Sequence, residues 1–570
     1  MILRQKVTHG IAAVAIASLA LAGCSQAPED DGKGGDDKKL DASANEINPK
    51  DRSEVGDGGN LRLYNSAFPA NWNTLDLDGY EVNTNDMMDM VYPVLYSYTA
   101  EGEVVPNKNY TKRLDVVSED PLVVEIELND GMKWSDGAPI DYKSIENVFK
   151  TMDGSKEDYN VVSSEGYDKV KKIEKGDNDL TARVTFKEPY ADWKGLAGVA
   201  PDSLVKSADA FNESWVDEPK VTAGPYKIKK IDSKNKTVQM VPDDSWWGDK
   251  APLDSVLITT IEDPSAAASS FQNGQLDAME TSVPAQYSVV KPMIDNGAEL
   301  RRASAPDWSH ITLNGEKGGP LADETLRQAV FKTLDREEIF LSVNSTMPYP
   351  KDVEQLNNRM LMTNQNGYKD TAGDRADADA AGGKKMLEEA GYKYDDSGKA
   401  TKDGKPVTLD YVYNDGSKTN EAVLPVVQEN LKEIGVTVKE HKVPPTDLFA
   451  KYIDPGEYDM TLFGYSGNPF LSSGDAIWKT KGGQNFSNLG DKEVDKLLNK
   501  ASTSTDEDER TDLLNQADDK LWDVAGVVPL WQSYDFYVVN PDLANYGAFG
   551  FESPDWTKIG YVKGSDKLKN

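Results

Sequence analysis

Position 24 holds the only cysteine among 570 residues, and that single thiol closes off whole classes of architecture. One cysteine makes no internal disulfide and builds no multi-cysteine metal site. A catalytic thiol needs a helper base, and the chain has three histidines in all. The reason for Cys24 must lie in its surroundings.

Upstream of it the chain reads MILRQKVTHGIAAVAIASLALAG. Arg4 and Lys6 make a positive start, and residues 11–22 are apolar except for Ser18. That run is shorter than the ~20 apolar residues a spanning helix needs. A basic start, a short apolar middle and small residues at the end describe a secretion signal over 1–23. Leu21, Ala22, Gly23 and Cys24 resemble the bacterial lipobox. The resemblance implies cleavage before Cys24 and acylation of that residue, which becomes a lipid anchor outside the fold. Each buried methylene of such a chain contributes about 0.8 kcal/mol. Residues 24–58 are rich in Asp, Lys and Gly and poor in large apolar side chains, the composition of a disordered tether. The protein is expected at the extracellular face of the cytoplasmic membrane, held there by lipid alone.

The ~510 residues that remain exceed what one core serves, so two or three domains are expected. A formal charge of −34 repels nucleic acid and anionic lipid. Without the signal, His310 and His441 are the remaining histidines, isolated from each other in sequence. Two structural or surface histidines are expected, and no metal and no cofactor. No glycine-rich dinucleotide turn, phosphate loop or HExxH is present.

Along the body, strand-like and helix-like segments alternate. Strands are predicted at 121–130, 179–186, 224–232 and 236–241, the last two as a hairpin. Asp141 is predicted to cap a helix presenting Ile145, Val148 and Phe149, and a short helix is expected at 265–274. The clearest helix spans 321–341, with Arg327 and Asp335 as an ion pair or caps. Then come helix 384–390, strand 406–413, helix 417–434, strand 436–440, a helix near 446–453 and strand 457–463. This order predicts an α/β lobe with parallel pairing. Strand returns at 527–540.

Seven stretches, in order, resemble the dipeptide- and oligopeptide-binding proteins of bacterial ABC importers. They are LNDGMKWSDGAPID (128–141), TAGPYKI (222–228), FQNGQLDA (271–278), LADETLRQAVFKTLDREEI (321–339), YDMTLFGYSGNPF (458–470), NFSNLGDKEVDKLL (485–498) and VPLWQ (528–532). GYSGNPF and the ending LANYGAFGFESPDW look most like the actinobacterial branch. The resemblance implies an α/β, two-lobed periplasmic-binding-protein-like fold with a discontinuous first lobe and an extra domain inserted in it. Lobe one is expected at 59–98, 219–307 and 527–570, the insertion at 99–218 and lobe two at 308–526.

The implied function is capture of an oligopeptide between lobes that close on it and deliver it to ABC permease subunits, by a monomer. A peptide main chain is the same whatever its sequence, so strand edges can hold it without reading side chains. The residues implied as ligand-binding are Trp308, Tyr413, Asn414, Asp415, Gly464, Tyr465, Ser466 and Asn468. In this family an aspartate binds the peptide's amino terminus at the position matching Asn468, and an arginine stands where Leu462 does. A family tryptophan falls at Pro444 and Pro445. Asp415 is either a replacement carboxylate or a turn former and helix cap. Trp308 either stacks on a ligand or packs the crossover. The alternatives are the same fold binding a non-peptide solute such as an oligosaccharide or a siderophore-like compound, an exported glycosidase using two carboxylates, or a regulatory relative with a closed cleft.

Overall fold

The computed structural model describes residues 45–350, 353, 355–470 and 474–569. Cys24, the expected signal and the first part of the expected tether lie outside the described residues. Two compact units emerge. A terminal unit takes Asn45–Ser304, Ser502–Asp506 and Tyr534–Asn570, and a central unit takes Ala305–Ala501 and Glu507–Ser533. The chain passes from one to the other within two long strands, Glu299–Leu313 and Val527–Val539, and at either end of Ser502–Asp506.

The terminal unit is built on two four-stranded sheets. In one, Asn60–Asn65 pairs in parallel with Ser255–Thr260, followed by Thr237–Pro242 and Tyr226–Asp232, both antiparallel. The last two form the predicted hairpin. The other sheet is antiparallel throughout, in the order Thr111–Glu119, Leu122–Leu128, Thr181–Phe186, Val170–Lys175. Helix Tyr142–Met152 buries Ile145, Val148 and Phe149, and the Asp141 carboxylate accepts the Lys143 N–H at 2.9 Å. The second sheet lies inside the segment 99–218, yet it shares one hydrophobic core with the first, from Leu61 and Val256 through Val124, Ile126 and Val184. A common core keeps the two together.

The expected tether is shorter than its composition suggests, because residues 45–58 are fixed against the terminal unit. Glu46 exchanges main-chain and carboxylate hydrogen bonds with Arg302, at 3.0 and 2.8 Å. The Lys50 N–H donates to Asn545 Oδ1 at 2.7 Å, and the Asn545 amide returns a bond to the Lys50 carbonyl at 3.1 Å. Val55 is 1% exposed and bridges to Val562. Polar composition misleads here because the segment is held mainly by main-chain and amide hydrogen bonds, which need few large apolar side chains.

In the central unit the strand order runs Glu299–Leu313, Met460–Ser466, Thr408–Asn414, Thr437–Val443. Met460–Ser466 is antiparallel to the first of these strands, while Thr408–Asn414 is parallel to both of its neighbours. Helix Lys418–Glu433 makes the crossover that parallel pairing requires, with Pro425 inside it. Val423, Val427 and Leu431 form its buried face. The helix expected over 321–341 is two helices, Glu324–Thr333 and Arg336–Asn344. Leu334 turns extended, and Asp335 caps the second helix by accepting the Glu338 N–H at 2.9 Å. Arg327 forms no ion pair with Asp335; it donates to the Leu321 and Ala322 carbonyls at 2.8 and 3.2 Å.

The central core encloses a charged pair. Arg359 and Asp518 are both fully buried, joined at 3.1 Å, with the guanidinium 4.3 Å from the Trp522 ring. Asp518 also accepts the Arg359 main-chain N–H at 2.9 Å and the Trp522 indole N–H at 3.1 Å. The Thr371 hydroxyl donates to it as well, so the carboxylate satisfies four donors at once. Asp518→Ala strands the guanidinium in the core and is expected to cost about 3–5 kcal/mol, read as a lower urea midpoint at unchanged slope. A chain that starts at Gly59 is expected to melt below one that starts at Asn45 by scanning calorimetry; equal melting would return 45–58 to the tether.

Candidate ligand site

Strand direction gathers most of the residues singled out above. In open α/β sheets, ligands sit outside the carboxyl ends of parallel strands. Tyr413 and Asn414 end one such strand, Asp415 follows, and Gly464, Tyr465 and Ser466 end its parallel neighbour. The antiparallel register brings the crossover strand to the same end, setting Trp308 opposite Tyr465 and Asp307 opposite Ser466.

These side chains divide by depth. Trp308 is 3% exposed, its ring 5.7 Å from Tyr465 and stacked at 6.3 Å on Trp478. Of its two expected roles, packing is the one these contacts express. Tyr413 is buried in the core with its hydroxyl donating to Glu440 at 2.5 Å; burial, then Glu440, pushes it up to about 12. Gly464 and Ser466 are exposed, and a Cβ at 464 would stand 3.1 Å from the Trp308 carbonyl oxygen, so glycine lets the strands close up there. Asp307 is exposed as well. Crowding by protein raises its carboxyl, and the Ser466 hydroxyl works against that.

Asn468 is half-buried, and its Oδ1 accepts the Phe470 N–H at 2.7 Å, which turns it back onto its own loop. Leu462 lies in the hydrophobic core at 5% exposure. Asp415 is exposed, with its N–H on the Val443 carbonyl at 2.8 Å. It does not cap the helix that follows; Ser417 does, accepting the Asn420 N–H.

Two members of this wall were not legible as such. His310 is fully buried, stacked on Tyr465 at 4.5 Å and set edge-on to Phe463 at 4.4 Å. Its Nδ1 meets the Thr312 hydroxyl at 3.1 Å, and its Nε2 has no hydrogen-bond partner. Burial pushes it down to about 3, with the Arg359 charge adding, so the ring is neutral at any working pH. Trp478 completes the cluster. An isolated histidine and a distant tryptophan carry no local pattern; the contact is made only by the tertiary fold. His441 lies elsewhere, its Nδ1 2.8 Å from Asp410. Asp410 also lines a recess of about 330 Å³ at the amino ends of these strands, with Asn314, Glu316, Tyr458 and Asp459. Among the described residues no group of three or more His, Cys, Asp or Glu side chains is placed to hold a metal ion, and no helix is long and apolar enough to cross a membrane.

The arrangement sets exposed strand at Gly464 and Ser466 over a buried, neutral aromatic layer. Comparison with known proteins agrees in kind. Residues 105–488 match the family described as bacterial extracellular solute-binding proteins, family 5. The chain is 30% identical over 526 residues to the oligopeptide-binding protein OppA of Mycobacterium tuberculosis, covering 91% of this chain and 88% of that one. Among solved structures, the periplasmic EDTA-binding protein EppA matches with a TM-score of 0.80 at 22% identity, over 92% of this chain and 99% of that one. The oligopeptide-binding protein AppA of Bacillus subtilis, in complex with a nonapeptide, matches with a TM-score of 0.68 at 22% identity, over 89% and 100%. Those two likenesses establish the fold, the mixed α/β, multi-lobed architecture of these binders. The family match and the likeness to OppA remove the glycosidase alternative: the chain belongs to the bacterial extracellular solute-binding proteins of family 5, which bind solutes and are not enzymes.

Proposed function

We propose that the chain is the oligopeptide receptor of an ABC importer, anchored outside the cell through lipid on Cys24 and working as a monomer with its permease subunits. The observation that carries the peptide reading is the likeness to an oligopeptide-binding protein across 91% of the chain. The site supports it. Gly464 and Ser466 leave main chain in reach at a strand end, and a peptide's amides can pair there whatever its side chains. Tyr413 would act through its main chain, since its ring is in the core. Trp308 and Tyr465 would stiffen the wall. We also assign 99–218 as the extra domain of the discontinuous lobe, although it shares that lobe's core.

A second reading keeps the fold and changes the guest. It is favoured by Leu462 and Asn468, which put a core side chain and a self-bonded amide where peptide binders hold charges. A non-peptide solute is then the guest, as in the EDTA-binding relative.

Mass spectrometry of whatever co-purifies with the protein is expected to find peptides of mixed sequence. Added peptides should raise the melting temperature, since a ligand at 100 times its Kd stabilises the native state by about 2.7 kcal/mol. A chelate or sugar in their place, with no shift from any peptide, would move the assignment to the second reading. Cys24→Ser is expected to shift the protein from the membrane fraction to the medium; retention on the membrane would remove the lipid anchor from the proposal.

A further inference from the structure

The stretch NFSNLGD at 485–491 opens one of the seven that carry the family resemblance, yet it has no part in the ligand wall described above. Its hydrogen bonds are closely specified all the same. Asn485 donates its amide to the Lys479 and Leu489 carbonyls at 3.1 and 2.5 Å, and its Oδ1 accepts the Ser487 hydroxyl at 2.7 Å. Asp491 accepts the Glu493 and Val494 N–H groups at 2.8 and 3.0 Å through one oxygen, Oδ1, where helix Lys492–Ala501 begins. These three side chains line a cavity together with Arg359 and Trp478. The cavity measures about 20 Å³, room for a single water-sized guest.

Arg359 meets this cavity with its side chain fully buried. Two of its three nitrogens are committed: Nε donates to the Val527 carbonyl at 2.9 Å and Nη1 to Asp518 at 3.1 Å. Nη2 has no hydrogen-bond partner among the described residues. A guanidinium holds its N–H groups in one rigid plane, so Nη2 cannot turn elsewhere while Nε and Nη1 stay bonded. A buried charged donor left without an acceptor costs more than a neutral one. The cavity gives that nitrogen room for a partner.

The lining selects the kind of partner. The Asn485 amide and the Ser487 hydroxyl have already donated their protons to protein acceptors. What they still offer is lone pairs, on Asn485 Oδ1 and Ser487 Oγ, and Asp491 adds its second oxygen. A halide would accept from Nη2 but would face those lone pairs and the Asp491 charge with no proton to give. An ammonium would suit the oxygens and be repelled by the guanidinium. Water accepts from Nη2 and donates to the oxygens. A buried water typically makes about three hydrogen bonds, and this site supplies them. Trp478 extends the consequence, because its ring also stacks on Trp308 at 6.3 Å in the candidate wall.

We propose that this cavity is a binding site for one long-lived water molecule, which accepts from Arg359 Nη2, donates to the Asn485–Asp491 loop, and so links the buried charged pair to the segment that carries Trp478. The site does not depend on which solute the chain binds.

The test uses the full chain. High-resolution diffraction is expected to show one peak of water density in the cavity, within about 3.2 Å of Arg359 Nη2 and of at least one of Asn485 Oδ1, Ser487 Oγ and Asp491. No peak, or a peak that touches Nη2 alone, overturns the proposal. Crystals soaked in bromide and crystals under xenon separate the rivals. An anomalous bromide peak in the cavity assigns an anion and a xenon peak assigns a dry void, and either overturns the proposal. In solution, oxygen-17 relaxation counts the long-lived waters of each molecule. Gly526→Ala would set its methyl 3.0 Å from Ser487 Oγ and 3.1 Å from Leu489 Cδ1, among the atoms that line the cavity. That variant is expected to hold about one long-lived water fewer than the parent; an equal count overturns the proposal. If the added methyl disturbs folding, Ser487→Ala removes an acceptor without adding bulk. It is expected to shorten the water's residence time about fivefold, the scale of one hydrogen bond; an unchanged residence time overturns the proposal.

Discussion

The central unit turns on one pairing, the antiparallel ladder between Glu299–Leu313 and Met460–Ser466. Side chains alternate along a strand, so a slip of one residue would send Trp308 and Tyr465 to the opposite face and bring Asp307 and Ser466 inward. The parallel ladder beside it then adds the end of Thr408–Asn414 at the same level. The crossover strand does two jobs in consequence. It carries the chain from one unit to the other, and its middle supplies one wall of the candidate site. A substitution that loosens this ladder acts on both.

Both units hold buried charge against specific partners. In the central unit Asp518 is held by Arg359, Trp522 and Thr371, while Nη2 of Arg359 has no hydrogen-bond partner among the described residues. Arg336 is also buried, without a carboxylate, and bonds Asn357 Oδ1 and the Leu356 carbonyl at 2.9 and 2.7 Å; burial pushes it down to about 9. Such groups fix side chains in one arrangement. The terminal unit does the same with Asp277, which is buried and pairs with Arg62 at 2.7 Å and Lys567 at 2.6 Å.

Much of the architecture was legible because it is local. The helix predicted at 417–434 is Lys418–Glu433, and Asp141 caps the helix it precedes. The helix over 321–341 broke where two local signals compete: apolar spacing runs straight through Leu334, while Asp335 followed by Glu338 is a start signal. The start signal won because Leu334 gains its burial in the extended conformation. Residues 45–58 show the reverse. Their partners, Asn545 and Val562, lie about five hundred residues away, and no local pattern announces such contacts. The candidate site was legible as strand ends and illegible as depth. The pattern of Thr408–Asn414 says that one face is buried, but not that Tyr413 sends its hydroxyl to Glu440.

His310 has a broader meaning for what the central wall can discriminate. Its ring stays uncharged, held among Trp308, Phe463 and Tyr465, so the aromatic layer is neutral and charge at these strand ends comes from exposed carboxylates such as Asp307 and Asp415. Beneath that acidic rim the packing does not titrate, so acidification alters the rim and leaves the aromatic layer as it was.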